Sequence, residues 1–154
     1  MMQKKKNWFS SFLELALLVL FFIGILAVLT LPLWVKWYVE FHYGTFTLPL
    51  YIKMLVILYI SGILAVASVW ECHAILHNIN LGKPFIMDNA KRLRRIAWCF
   101  LPIALTYFIS MFLIPSPFVL LVGAAFAFGC AILFLLSELF RQAVQYKEEN
   151  DLTI

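Results

Sequence analysis

Charge is scarce in this chain: 13% of its 154 residues are charged and 64% are hydrophobic. A soluble domain carries about a quarter charged residues and about half apolar ones. The shortage excludes a single aqueous core, because a chain of this length cannot bury so much apolar side chain in one. Lipid is left as the solvent for the surplus. Cysteine is scarce as well. Cys72, Cys99 and Cys130 lie far apart, form no C-x-x-C pair and fall in none of the segments assigned below to the outside. An odd, scattered set argues against a disulfide framework and reads as three small buried hydrophobes. Cysteines in different helices do not make a quinone-linked redox pair either. No Ser-His-Asp set, H-E-x-x-H, Walker loop or G-x-G-x-x-G occurs, and these are the spacings that place nucleophiles, metals and phosphates. The sequence therefore predicts no enzyme activity and implies no cofactor. Internal repeats and low-complexity segments are absent too.

What the chain does have is long apolar runs. Lys4, Lys5 and Lys6 precede an uncharged stretch, Leu15 to Val35, of 21 residues. A signal peptide has an apolar core of about 7–15 residues and a small-residue cleavage site. This run is longer and no such site closes it, so it reads as a retained helix of about the 20 residues a bilayer requires. Pro32, Trp34, Lys36, Trp37 and Tyr38 mark its far interface, where amphipathic aromatics collect. Val39 to Pro49 reads as an irregular loop around Gly44. A second helix follows, uncharged from Met54 to Trp70, and Glu71, Cys72, His73 and His77 bring it into polar surroundings. Gly82 and Pro84 break it, and Asp88 is placed to cap the next helix. The third apolar run carries Pro102, a candidate kink. Pro115-Ser116-Pro117 is so short a turn that the third and fourth helices must be neighbours. Gly123, Ala127 and Ala131, with Ala125 and Gly129, put small residues at four-residue spacing on the last helix, as close packing in lipid favours.

The expected fold is all-α. It is an integral membrane protein of one domain, with four transmembrane helices in an antiparallel bundle over residues of about 12–38, 51–76, 96–114 and 118–146. A cytoplasmic loop covers 77–95 and a cytoplasmic tail 147–154. Charge sets the orientation. Ten of the twelve Lys and Arg (Lys4, Lys5, Lys6, Lys83, Lys91, Arg92, Arg94, Arg95, Arg141 and Lys147) fall on one side of this plan, with only Lys36 and Lys53 on the other. Positive residues in short loops stay cytoplasmic, so both termini and the middle loop are assigned to the cytoplasm. The net charge of +4 is thereby explained by topology, and no direct nucleic-acid binding is expected of so small a patch against a membrane.

The middle loop reads LGKPFIMDNAKRLRRI. Its Gly82-Lys83-Pro84-Phe85, with Asn89, Leu93, Arg94 and Ile96, resembles a signature of the bacterial DUF2975 family. Glu138, Phe140 and Arg141 followed by Lys147 to Ile154 (KEENDLTI) resemble the family's C-terminal end. One departure is Ala97, where the pattern has glycine. The resemblance implies a small four-helix membrane protein without an assigned activity. Family members are often encoded beside a small helix-turn-helix regulator, which implies by analogy the membrane half of a regulatory pair.

Candidate sites follow from the polar residues. Gly82, Pro84, Phe85, Asn89, Arg92 and Arg94, together with Glu149, Asn150, Asp151 and Leu152, make up a two-piece cytoplasmic face for a partner. Glu71 and Glu138 end the second and fourth helices near the level of Arg94, Arg95 and Arg141. Carboxylates at a boundary pair readily with the planar guanidinium, so Glu71, Glu138, Arg95 and Arg141 are expected to form an interhelix ion-pair network. Glu14 invites a proton-coupled transport reading, but the 21 residues after it suffice to span the bilayer, and only a midplane carboxylate makes transport the default. His73 and His77 share a helix face, yet Glu71 and Cys72 do not share it well, and metal sites usually need a third or fourth ligand. Two interfacial polar side chains is the simpler account, and no metal is expected. A helix-turn-helix regulator, the lipid bilayer and further copies of the chain are the partners considered. The competing reading is a transporter or peptide-resistance protein. Its cavity would be lined by Tyr107, Ser110 and Thr106, or by the outer aromatics Trp37, Tyr38, Phe41, His42 and Tyr43.

Overall fold

A computed structural model describes residues 8–152, with side chains to residue 150; Lys4, Lys5, Lys6, Thr153 and Ile154 lie outside the described residues. Four helices make up the fold: α1 (Trp8–Tyr43), α2 (Leu48–Asn80), α3 (Met87–Ser110) and α4 (Pro117–Leu152). All four are long and apolar enough to cross a membrane. With 36 residues each, α1 and α4 run about 54 Å at about 1.5 Å per residue, well beyond a hydrocarbon core of about 30 Å. Their surfaces stay apolar on most sides; on α1 only Val35 and Val39 are buried.

The helices are longer than the hydropathy pattern suggests, and the loops are shorter. The loop expected over 39–49 shrinks to 44–47: α1 continues to Tyr43 and α2 starts at Leu48. Pro49 sits in the first turn of α2, where its missing N–H costs nothing. The loop expected over 77–95 shrinks to 81–86, because polar residues continue both helices past the apolar stretch. Asp88 does not cap α3. Ile86, extended at φ −131°, is the N-cap with no side-chain bond, and Asp88 lies in the first turn, bonded to Arg92. Helical structure runs unbroken through Pro32 and Pro102. The charged tail likewise continues α4 to Leu152.

Gly82 ends α2 by a specific device. At φ +78° it takes the left-handed conformation that a Cβ disfavours. Its N–H bonds to Ile79 O at 2.9 Å and that of Lys83 to Asn78 O at 3.0 Å, which together satisfy two of the last carbonyls in a Schellman motif.

Packing follows chain order: α1 against α2, α2 against α3, and α3 against α4, with no other pair of helix backbones in close contact among the described residues. The expected bundle is therefore open between α1 and α4. Along α1 and α2 the contacts run in opposite senses: Glu14 meets His77, Phe21 meets Trp70 and Pro32 meets Tyr51. Two glycines allow the approach. A Cβ on Gly24 would stand 2.9 Å from Val66 Cγ2, and one on Gly62 would stand 3.0 Å from Val28 Cγ2. Gly24→Leu is expected to cost about 1–3 kcal/mol through overpacking, whereas Leu26→Ala, on a side chain 62% exposed, should leave the denaturation midpoint in detergent unchanged.

The α3–α4 seam repeats every seven residues. On α3 the buried residues are Asn89 and Ala90, Ile96 and Ala97, Ile103 and Ala104, then Ser110; on α4 they are Gly123, Cys130, Ser137 and Val144. Such a repeat is the seam of a left-handed coiled coil. Two small side chains bond across it: Ser137 Oγ donates to Ala90 O at 2.9 Å and Cys130 Sγ to Ala97 O at 3.3 Å. Gly123 and Gly129 face α3 through Tyr107, Phe108 and Phe100. Ala125 and Ala131 are exposed, so the four-residue spacing does not define the packed face.

Candidate functional site

Polar side chains form three groups: two gather where α1 begins, α2 ends and α3 begins, and the third lies on α4. The first joins α1 to α2. Glu14 accepts hydrogen bonds from His77 Nδ1 at 2.6 Å and from Asn80 Nδ2 at 2.5 Å. Ser10 Oγ donates to Asn80 Oδ1, and Asn80 Nδ2 also reaches Ser10 O at 3.3 Å. His73 stacks between Trp70 and His77. Glu14 is thus consumed by two donors at the helix end. Among the described residues no group of three or more His, Cys, Asp or Glu is placed to hold a metal ion.

The second group joins α2 to α3. Arg92 bridges two carboxylates, donating from Nη1 to Glu71 Oε2 at 2.8 Å and from Nε to Asp88 Oδ2 at 2.7 Å. Arg95 Nη1 reaches the other Glu71 oxygen at 3.2 Å. Arg92 and Glu71 are only 23% and 16% exposed at the side chain, so their attraction is less screened than that of a surface pair. Asp88 lies ahead of the apolar part of α3. The hydrogen bond from Arg92 holds its carboxyl below the ordinary range, since it stabilises the ionised form.

Asn89 is the fully buried member of this group, at 0% exposure. Its Nδ2 donates to Pro84 O at 2.9 Å and to Lys83 O at 3.4 Å, while its Oδ1 accepts from Asn78 Nδ2 at 2.8 Å. One side chain therefore ties the end of α2, the 81–86 loop and the start of α3. Phe85, from the same loop, packs its ring against Phe140 of α4, with centroids 5.9 Å apart.

The third group stays within α4: Arg141 forks onto Glu138 at 3.0 and 2.5 Å, and Gln142 adds a contact at 3.4 Å. The expected four-residue network thus divides. Glu71 pairs across helices with Arg95, and also with Arg92, which had been assigned to a partner face. Glu138 and Arg141 pair with each other at i, i+3.

The residues assigned to a partner divide as well. Asn89 is buried and Pro84 and Arg92 are half-buried, whereas Gly82 and Phe85 are exposed, although Gly82 closes α2 and Phe85 touches Phe140. Arg94, with neighbouring Lys91, is exposed, as are Glu149 and Asn150 on the last turns of α4. Asp151 and Leu152 continue that helix, and their side chains lie outside the described residues. Ser10, Asn78 and Asn80 carry bonds that the sequence reading missed. The signal was there for Asn80, since Glu14 and His77 both sit at the polar end of apolar helices joined by a short loop, which puts them at one depth.

A loop stopped by Gly82, tied by Asn89 and anchored by Phe85 accounts for the spacing of G-K-P-F and N in physical terms. The family model described as "Protein of unknown function (DUF2975)" matches residues 6–154. The chain belongs to the DUF2975 family. No curated protein and no solved structure matches it. For this DUF2975 chain the arrangement fixes helix ends: Glu14, Glu71, Asp88, Asn89 and Glu138 are each bonded to side chains or loop carbonyls nearby.

Proposed function

We propose that the chain is a non-enzymatic protein of the bacterial cell membrane. Its four helices span the bilayer antiparallel, with both termini and the 81–86 loop in the cytoplasm. The ten-to-two bias of Lys and Arg supports this orientation, because cationic loops are retained inside. On that side it presents a surface to a cytoplasmic partner, and a small helix-turn-helix regulator is the one to test first. The observation that carries the reading is the exposure of Lys91 and Arg94 in the first turns of α3, just after the 81–86 loop that Gly82 and Asn89 tie down. At about 1.5 Å per residue, α4 runs about 16 Å past Arg141 to Leu152, far enough to stand clear of the lipid.

The test is capture of the regulator encoded beside the gene, using full-length protein in detergent. Truncation after Lys147 combined with Lys91→Glu and Arg94→Glu is expected to abolish capture and shift transcription of the regulator's targets. Lys91, Arg94 and residues 148–150 are exposed, so the variant is expected to keep its fold. Unchanged capture and transcription would sink the reading.

A second reading, as a transporter or peptide-resistance protein, draws on the cavity that takes in Tyr107, Ser110, Trp37 and Tyr38. It expects a deletion strain to become sensitive to toxic cations or peptides, with rescue requiring Glu14. Rescue by Glu14→Gln would rule out that coupling.

A further inference from the structure

The gap between α1 and α4 is a shaped slot. A cavity of about 440 Å³ is lined by Leu31, Trp34 and Tyr38 of α1, Leu58 of α2, Tyr107 of α3 and Val119 of α4. A second, of about 330 Å³, shares Leu31, Leu58 and Tyr107 and continues to Gly24 and Phe126. From Tyr38 to Gly24 the slot follows α1 for about 21 Å at about 1.5 Å per residue. Its walls are almost wholly apolar, and the Ser110 hydroxyl at its edge is already bonded to Thr106 O at 2.6 Å. Such walls suit an apolar molecule, and the larger volume is within the range of about 300–1,000 Å³ typical of ligand sites.

Length suits one acyl chain: it covers one leaflet, about half of a core of about 30 Å, and the slot is longer than that. Charge selects the headgroup. Lys53 adjoins Met54 of the lining and has no acidic partner among the described residues, whereas Lys36 turns to Glu40 at 3.9 Å.

We propose that the slot between α1 and α4 binds one acyl chain of an anionic phospholipid, with Lys53 at the headgroup. The probe is dipalmitoyl phosphatidylglycerol, titrated into delipidated full-length protein in detergent and read by native mass spectrometry, with the phosphatidylcholine analogue for comparison. One phosphatidylglycerol per chain is expected to bind first, at least tenfold more tightly than later ones. Leu58→Trp and Val119→Trp, which fill the slot from different helices, should each weaken that first site at least tenfold. Leu135→Trp, on an exposed face, should not. Lys53→Gln should remove most of the preference for phosphatidylglycerol. A ladder of equal affinities, first-site binding unaltered by both filling variants, or a preference untouched by Lys53→Gln would each overturn the proposal. So would dimers that the filling variants abolish. Co-flotation of the same proteins with vesicles reports the membrane reading by itself, so the two can fail separately.

Discussion

Glu71→Ala is expected to destabilise the protein by about 2–3 kcal/mol, read as a lowered denaturation midpoint in mild detergent. Glu71 accepts from Arg92 at 2.8 Å and from Arg95 at 3.2 Å. Removing it strips one guanidinium of its interhelix partner and leaves the other with Asp88 alone. Breaking a fully buried pair costs about 3–5 kcal/mol, because the surviving charge remains desolvated. Here 16% exposure of Glu71 and 23% of Arg92 admit some water, which moves the expectation below that range. Glu71→Gln keeps the shape and one acceptor, so it should cost about half as much. Arg92→Lys should be nearly as harmful as the alanine change, since a single ammonium cannot reproduce the fork that holds Asp88 and Glu71 together. Arg141→Ala supplies the contrast. Its partner Glu138 sits one turn away on the same exposed helix face, and such pairs contribute little, so no change in the midpoint should be detectable. Equal midpoints for Glu71→Ala and Arg141→Ala would show that the α2–α3 pair does not hold the helices.

Helix number and span were legible in the sequence because transfer to lipid acts on every residue of a run. The helix ends were not. Hydropathy reports where apolar residues stop, whereas a helix continues for as long as its backbone bonds are satisfied. The stretch Cys72 to Asn80 and the stretch Met87 to Arg95 are polar yet helical, since each turn there finds partners: His77 and Asn80 on Glu14, Arg92 and Arg95 on Glu71. Gly82 was legible as a stop and proved to be one. Asp88 was misread because its chemistry suits a cap, but Arg92 four residues on offers its carboxylate a stronger, charged donor.

The seam between α3 and α4 was hidden for a different reason. In lipid, packed and exposed faces do not differ in polarity, so a seam shows only in side-chain size. Gly123, Ala127 and Ala131 suggested a period of four. The contacts use a period of seven, with Ala90 against Ser137 and Ala97 against Cys130. A period of seven keeps two long helices in register as they supercoil, while a period of four drifts around the helix within a few turns. Reading Ala90, Ala97 and Ala104 against Gly123, Cys130, Ser137 and Val144 would have found it. The ion pairs were legible as residue types at one depth, but their pairing depends on which helices are neighbours. Glu138 falls to Arg141 because α4 packs on α3, and among the described residues its backbone makes no close approach to α2.

Asn89 is where fold and family signature coincide, and its replacement carries the second large expected effect. Asn89→Ala should cost about 2–4 kcal/mol. It empties a fully buried site and deprives Pro84 O of a donor 2.9 Å away and Lys83 O of one at 3.4 Å; an acceptor left buried without a partner costs about 1–3 kcal/mol, and these two are part-buried. Asn78 loses less, because its Nδ2 also reaches Asp88 at 3.4 Å, so Asn78→Ala should be milder. Asn89→Asp separates the lost donor from the lost volume. It keeps the oxygen that Asn78 bonds, fills the same space, and turns a carboxylate oxygen toward the Pro84 carbonyl beside Asp88. If the donor matters, Asn89→Asp is at least as damaging as Asn89→Ala. If only packing matters, it is nearly silent. Hydrogen exchange over residues 81–87 supplies the local readout. Both variants should speed exchange at Gly82 and Lys83, whose amides close the end of α2 at 2.9 and 3.0 Å, while amides near Cys130 on the α3–α4 seam stay protected. Wild-type exchange in that loop together with a wild-type midpoint in Asn89→Ala would mean that Gly82 and the backbone alone hold the turn. The burial of Asn89 would then have to be explained by something that binds there.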